Sequence, residues 1–286
     1  MLFAVATAIW SSTWLAIKFQ LGVVAPQASV AYRFALAALI LAAWCAARGQ
    51  SLRFPLRTHA WIAAQGATFF GLNYVSVYLA EGYVASGLVA VGFSTIVFMT
   101  PIGVRLAFGT PIAARTLIGA TLGVAGVALL FLPELRSVGE GGNAALGVGY
   151  ALCAPLIASI GNLITIRLQR DQVPVFTGTA WGMAYGALTA AVAATLLGTT
   201  WTFDPGLPYV ASLLYLAVFG SIIAFGAYFL LLKGVGAARS SFIGVATPVA
   251  AMLLSTLFEG YRWTWVAVAG VALAVAGNLI ALRSRR

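Results

Sequence analysis

The chain has 286 residues, 62% of them hydrophobic and 8% charged, whereas a water-soluble domain carries roughly 25% charged residues. This composition excludes a soluble fold. A net charge of +10 would point to nucleic acid in a soluble protein, but the cations here stand singly between apolar stretches and form no patch, so no nucleic-acid partner is expected.

A bilayer core about 30 Å thick takes around 20 apolar residues per helical crossing, so this length holds roughly ten spans with short loops. Taken in chain order, apolar windows bounded by charges, prolines or polar clusters predict helices near 2–19, 29–47, 60–80, 84–108, 113–132, 145–167, 175–198, 208–232, 238–258 and 264–282. The stretch from Met1 to Ile17 lacks a basic leader and a small-residue cleavage site, and reads as a first span. Cys45 and Cys153 lie inside apolar stretches with no metal-ligand or redox spacing, and read as core residues.

Charge sets the expected topology. With the N-terminus in the cytoplasm, the inner segments collect Arg48, Arg53, Arg57, Arg105, Arg115, Arg167, Arg170, Lys233, Arg239 and the C-terminal arginines. Only Lys18, Arg33, Arg136 and Arg262 fall on the outer side, while Glu81, Glu134, Glu140, Asp204 and Glu259 occupy outer loop positions. Both termini are therefore expected on the cytoplasmic side of a bacterial inner membrane. Trp44, Trp61, Trp201, Trp263 and Trp265 lie near span ends, where an indole meets both headgroup and hydrocarbon; Trp10, Trp14 and Trp181 lie deeper.

The halves match in order. Trp10–Lys18 pairs with Ser159–Arg167, Ala80–Ser86 with Leu232–Ala238, Ser94 and Thr100-Pro101 with Ser241 and Thr247-Pro248, and Gly119/Gly126 with Gly270/Gly277. The offsets of 149, 152, 147 and 151 residues need only small insertions. Two units follow, 2–132 and 145–282, each of five spans. An odd-span unit enters the membrane the other way round the second time, so the expected fold is an all-α integral membrane protein of ten helices. Its two inverted five-helix repeats would surround a central cavity.

Four features carry a family resemblance: Trp10-Ser-Ser with Ala16-Ile-Lys18, Pro26 followed by Tyr32-Arg33-Phe34, the small-residue segment through Pro101, and its copy from Ala238 to Glu259-Gly260. The chain resembles the ten-helix EamA branch of the drug/metabolite transporter superfamily, and within it the bacterial amino-acid exporters of the YddG type. That resemblance implies efflux of aromatic and other neutral amino acids. The small four-helix multidrug exporters of the superfamily carry a carboxylate in their first helix; Met1 to Phe19 holds none, so weak dependence on a proton gradient is expected.

Polar groups deep in hydrocarbon are costly unless they face a partner or a wet cavity, so mid-span polar residues mark a candidate path. In the first helix, Trp10 and Trp14 share a face beside Ser11 and Thr13, as an aromatic wall or as packing. The third offers Tyr74 and Tyr78 with Asn73, as a cavity face or interhelical contact. Ser94 and Thr95 in the fourth helix, Ser159, Asn162 and Thr165 in the sixth and Ser241 in the ninth complete the set, with Pro101 and Pro248 as candidate hinges. Arg33 reads as a snorkelling cation or as a carboxylate partner, and His59 as a solvated residue of an inner loop.

No phosphate-binding loop is present, and no catalytic, cofactor or metal site is expected from one histidine and six acids. Export of neutral and aromatic amino acids without ATP is the first functional expectation, with a small-molecule solute and the lipid bilayer as partners. The alternatives are a drug, sugar-phosphate or nucleotide-sugar carrier, a membrane-embedded lipid-processing enzyme, and a structural subunit.

Overall fold

The computed structural model describes residues 1–109, 111–136, 143–231 and 243–283, and the regular structure among them is helical. Helix α1 is Leu2–Lys18, α2 is Pro26–Ala47 and α3 covers 56–81; α4 is Ser86–Phe108 and α5 is Ala114–Arg136. The second half continues with α6 at Ala144–Arg170, α7 at Val175–Leu196, α8 at Leu207–Leu231, α9 at Ile243–Phe258 and α10 at Trp265–Arg283. Length and composition alone qualify α2, α4, most of α5, α6 and α8 to cross a bilayer. The ten-helix expectation holds.

Local chemistry sets the ends. Helix α2 opens on Pro26 after an extended Ala25, where the missing N–H would have had no acceptor. Helix α4 stops at Gly109, whose φ of +71° is a left-handed conformation that costs glycine nothing, and whose N–H closes on the Arg105 carbonyl.

Two interior features lie outside the sequence-based expectation. Helices α3 and α8 each contain a π segment, Gly66–Leu72 and Leu216–Ile223, at matching places in the two halves. Such a segment inserts an extra residue per turn and rotates whatever follows it. The second feature concerns α4, which breaks at Ser94–Thr95, upstream of Pro101. There the two hydroxyls donate to the carbonyls of Val91 and Gly92, each at 2.7 Å, and compete with the helical ladder.

Packing between the halves is reciprocal. Helix α1 packs on α8 and α9, and its counterpart α6 packs on α3 and α4; α2 meets α7 and α8, and α7 meets α2 and α3. The α5–α10 pair is held at four glycines. A Cβ on Gly119 would strike the Gly277 carbonyl and one on Gly277 the Gly119 carbonyl, with Gly126 and Gly270 related in the same way. A contact in which each partner repeats the other's role is the mark of a two-fold axis.

Two expectations need correction. Cys45 is buried but Cys153 is exposed, because lipid is as apolar as a protein core and an apolar stretch does not say which of the two it meets. His59 is only partly exposed: its Nδ1 lies 3.1 Å from the Tyr185 hydroxyl and its ring packs edge-on against Trp181 at 4.8 Å. Trp181 itself donates to the Leu52 carbonyl at 2.8 Å, which accounts for an indole set deeper than the others.

Candidate functional site

Between the halves lies a cavity of about 610 Å³. Helix α1 contributes Trp10, Thr13 and Trp14; α3 contributes Asn73 and Tyr74, just past its π segment; α4 contributes Ser94, Thr100 and Pro101. The second half supplies Asn162 and Thr165 from α6, Phe225 and Tyr228 past the π segment of α8, and Thr247 and Pro248 from α9. Among the described residues no charged side chain lines it.

The wall is held by contacts across the halves. Trp10 donates its indole N–H to the Gly220 carbonyl at 3.3 Å, and its ring lies against Phe225 and Tyr228 at 5.1 and 5.3 Å. Asn73 donates through Nδ2 to the Phe69 carbonyl at 3.0 Å, which leaves Oδ1 as an acceptor with no partner among the described residues. The Trp14 N–H and the Thr247 hydroxyl are likewise without partners among the described residues. Thr165 accepts from Gln65 at 3.1 Å, and Asn162 reaches Thr100 at 3.5 Å.

Four expected path residues lie elsewhere. Ser11 and Thr95 turn their hydroxyls back on the carbonyls of Thr7 and Gly92, so neither presents a free group. Ser159 is buried one turn before Asn162, beyond the part of α6 that reaches the cavity. Tyr78 is buried and donates to Gln20 at 2.8 Å while accepting from Arg33 at 3.4 Å. Ser241 lies outside the described residues. Phe69, Phe93, Phe225 and Tyr228 were not expected in the wall. The i, i+3 spacing of Phe225 and Tyr228 was the available signal, and it is shared by any buried helical stripe.

One end of the cavity stops at a polar cluster. The wall reaches Ile17 on α1, Val77 on α3 and Ala90 on α4, and Lys18, Glu81 and Ser86 sit beside it or one turn further on the same helices. The other end reaches exposed chain at Pro111 and Ala113. Lys18 donates to the carbonyls of Glu81 and Val84 at 2.5 and 3.0 Å and pairs with the Glu259 carboxylate at 3.6 Å. Glu259, just past α9, accepts from the Ser86 N–H at 3.0 Å, from the Ser86 hydroxyl, and from Ser255 at 2.8 Å.

Neither Glu81 nor Glu259 is a free surface acid: Glu81 ends α3 and is buried, and Glu259 follows α9 with its carboxylate engaged by Ser86, Ser255 and Lys18. Arg33 does not snorkel either: it is 0% exposed, donates to Ser221 at 3.1 Å and stacks on Tyr74 with its guanidinium carbon 4.6 Å from the ring centroid. Ser255 ties the cluster together, because it also accepts the Gly87 N–H at 2.8 Å. Ser255→Ala is expected to destabilise the fold by about 1–3 kcal/mol, the cost of leaving a buried donor and a charged acceptor short of a partner. A lowered thermal midpoint of the purified chain in detergent would register it, and an unchanged midpoint would contradict it.

Comparison with known proteins agrees with this architecture. Over its whole length the chain superposes on 96% of a solved crystal structure with a TM-score of 0.70 at 22% identity, which establishes the shared fold. It is 30% identical to YedA, an uncharacterized inner membrane transporter of Escherichia coli (strain K12), over 93% of this chain and 86% of that protein. An uncharacterized transporter of Synechocystis is 27% identical over 93% and 85% of the two chains. A WAT1-related chloroplastic protein of Arabidopsis thaliana is also 27% identical over 93% of this chain, which spans 65% of the plant protein's length. The EamA-like transporter family model matches twice, at residues 1–132 and 145–283, and the chain belongs to that family of membrane transporters.

Proposed function

We propose that the protein exports small solutes with no net charge, neutral and aromatic amino acids foremost, across a bacterial inner membrane by alternating access without ATP. One observation carries this reading: a cavity of about 610 Å³ walled by aromatic rings, amides and hydroxyls, with no charged side chain among its described residues. A sugar phosphate or nucleotide-sugar brings net negative charge that such a wall leaves uncompensated, and a drug cation lacks a carboxylate to meet it. A zwitterion carries both charges a few ångströms apart, and the neutral amides and hydroxyls that line the cavity, such as those of Asn162, Thr100 and Tyr74, can solvate that dipole.

In this reading Trp10, Thr13, Trp14, Asn73, Tyr74, Ser94, Asn162 and Thr165 form the substrate path, while Pro101 and Pro248 let α4 and α9 bend as the halves rearrange. With both termini cytoplasmic, the end of the cavity at Pro111 and Ala113 faces the cytoplasm and the polar cluster closes the outer side. Purified protein in liposomes is expected to exchange labelled threonine, methionine or phenylalanine in counterflow with no nucleotide present. Flux equal to that of protein-free vesicles across the panel would end the reading.

A further inference from the structure

We infer that Lys18 exchanges carboxylate partners as the polar end of the cavity opens and closes, holding Glu259 in the closed state and Glu81 in the open one. The inference rests on the alternating-access reading above. In the closed arrangement the Lys18 ammonium sits on two backbone carbonyls of its own half, at Glu81 and Val84, while the carboxylate it pairs with belongs to the other half. Glu259 takes hydrogen bonds from Ser86 of the first half and Ser255 of the second, so it spans the junction that must part for solute to leave.

Glu81 has the opposite character. It is 1% exposed, and among the described residues neither carboxyl oxygen has a hydrogen-bond partner, although the backbone oxygen of the same residue already holds Lys18. The idle carboxyl and the shared ammonium therefore lie on adjacent parts of one half. Arg33 is held on Ser221 and Tyr78 and stacked on Tyr74, with Nη2 unpartnered among the described residues, whereas the Lys18 ammonium already rests on the backbone of Glu81 itself.

Parting α9 from α1 and α4 takes Glu259 away and leaves the ammonium without its carboxylate. Glu81 offsets that loss because it remains within the same half. Two substitutions that each neutralise one acid consequently act in opposite directions. Glu259→Gln weakens closure alone, whereas Glu81→Gln removes the partner that the open state needs.

The test uses the full chain in liposomes with Cys45→Ala and Cys153→Ala, and spin labels at Tyr83→Cys and Arg262→Cys, two exposed positions beside the cluster in opposite halves. Pulsed electron resonance then reads the distance between them. The expected result is a severalfold gain of the long-distance population in Glu259→Gln and its loss in Glu81→Gln. In a Lys18→Met background, Glu81→Gln should have no further effect.

Movement of both variants in the same direction, or an unchanged Glu81→Gln effect without Lys18, overturns the exchange. A single invariant distance in every variant, with or without amino acids, overturns alternating access itself, so the two failures are distinguishable. Should Glu259→Gln not fold, Glu259→Asp takes its place with a smaller shift of the same sign.

Discussion

Gly126→Leu is expected to remove most of the folded protein. A Cβ at this position would lie 2.5 Å from the Gly270 carbonyl oxygen and from the Ala274 nitrogen, so the obstacle is backbone and no side-chain rotation relieves it. Lipid supplies no hydrophobic force between helices, and α5 and α10 are held together by the dispersion that close backbone approach permits. Overpacking a core whose side chains can shift costs about 1–3 kcal/mol, and a rigid backbone contact repeated at Gly119, Gly270 and Gly277 places leucine above that range. Size-exclusion chromatography in detergent should show little monodisperse protein, and Gly126→Ala should retain a folded fraction with a lower thermal midpoint. Wild-type yield from the leucine variant would contradict the contact.

The same pair shows how far the sequence could be read. Gly119 and Gly126 matched Gly270 and Gly277 at equal spacing, which predicted equivalent helices; that the equivalents touch each other crosswise required the structure. The ten spans were legible because apolar length and flanking charge act locally, on one helix at a time. Partners more than a hundred residues apart leave no such local trace. Glu259 near a span end carries the same topological signal whether it is solvated or, as here, locked onto Ser86 and Lys18.

Helix faces were the other gap. Ser11 and Thr13 look alike as path residues in the sequence, yet both hydroxyls return to the helix's own carbonyls, at Thr7 and Trp10, and only Thr13 faces the cavity. The π segments altered the register further. Gly66 can sit against Gly182 only because it has no side chain, and the turn that follows carries Phe69, Asn73 and Tyr74 to the wall. Glycine is common throughout this chain, so neither Gly66 nor Gly220 stood out as the site of a widened turn.

Asn162→Asp is expected to shift the preference of the carrier from neutral toward cationic solutes by about tenfold or more. The substitution conserves shape and introduces one negative charge into a wall that carries none among its described residues. Two unit charges about 5 Å apart interact by about 3 kcal/mol at an effective dielectric constant of about 20; water in the cavity would roughly halve that, which still corresponds to about a tenfold change in relative affinity. Counterflow competition between a cationic and a neutral amino acid, scored as a ratio, measures the shift independently of how much protein is active. Asn162→Leu supplies the control: it loses the amide and its reach toward Thr100, so total flux should fall while the ratio stays put. If aspartate leaves the ratio unchanged, solute does not pass this wall.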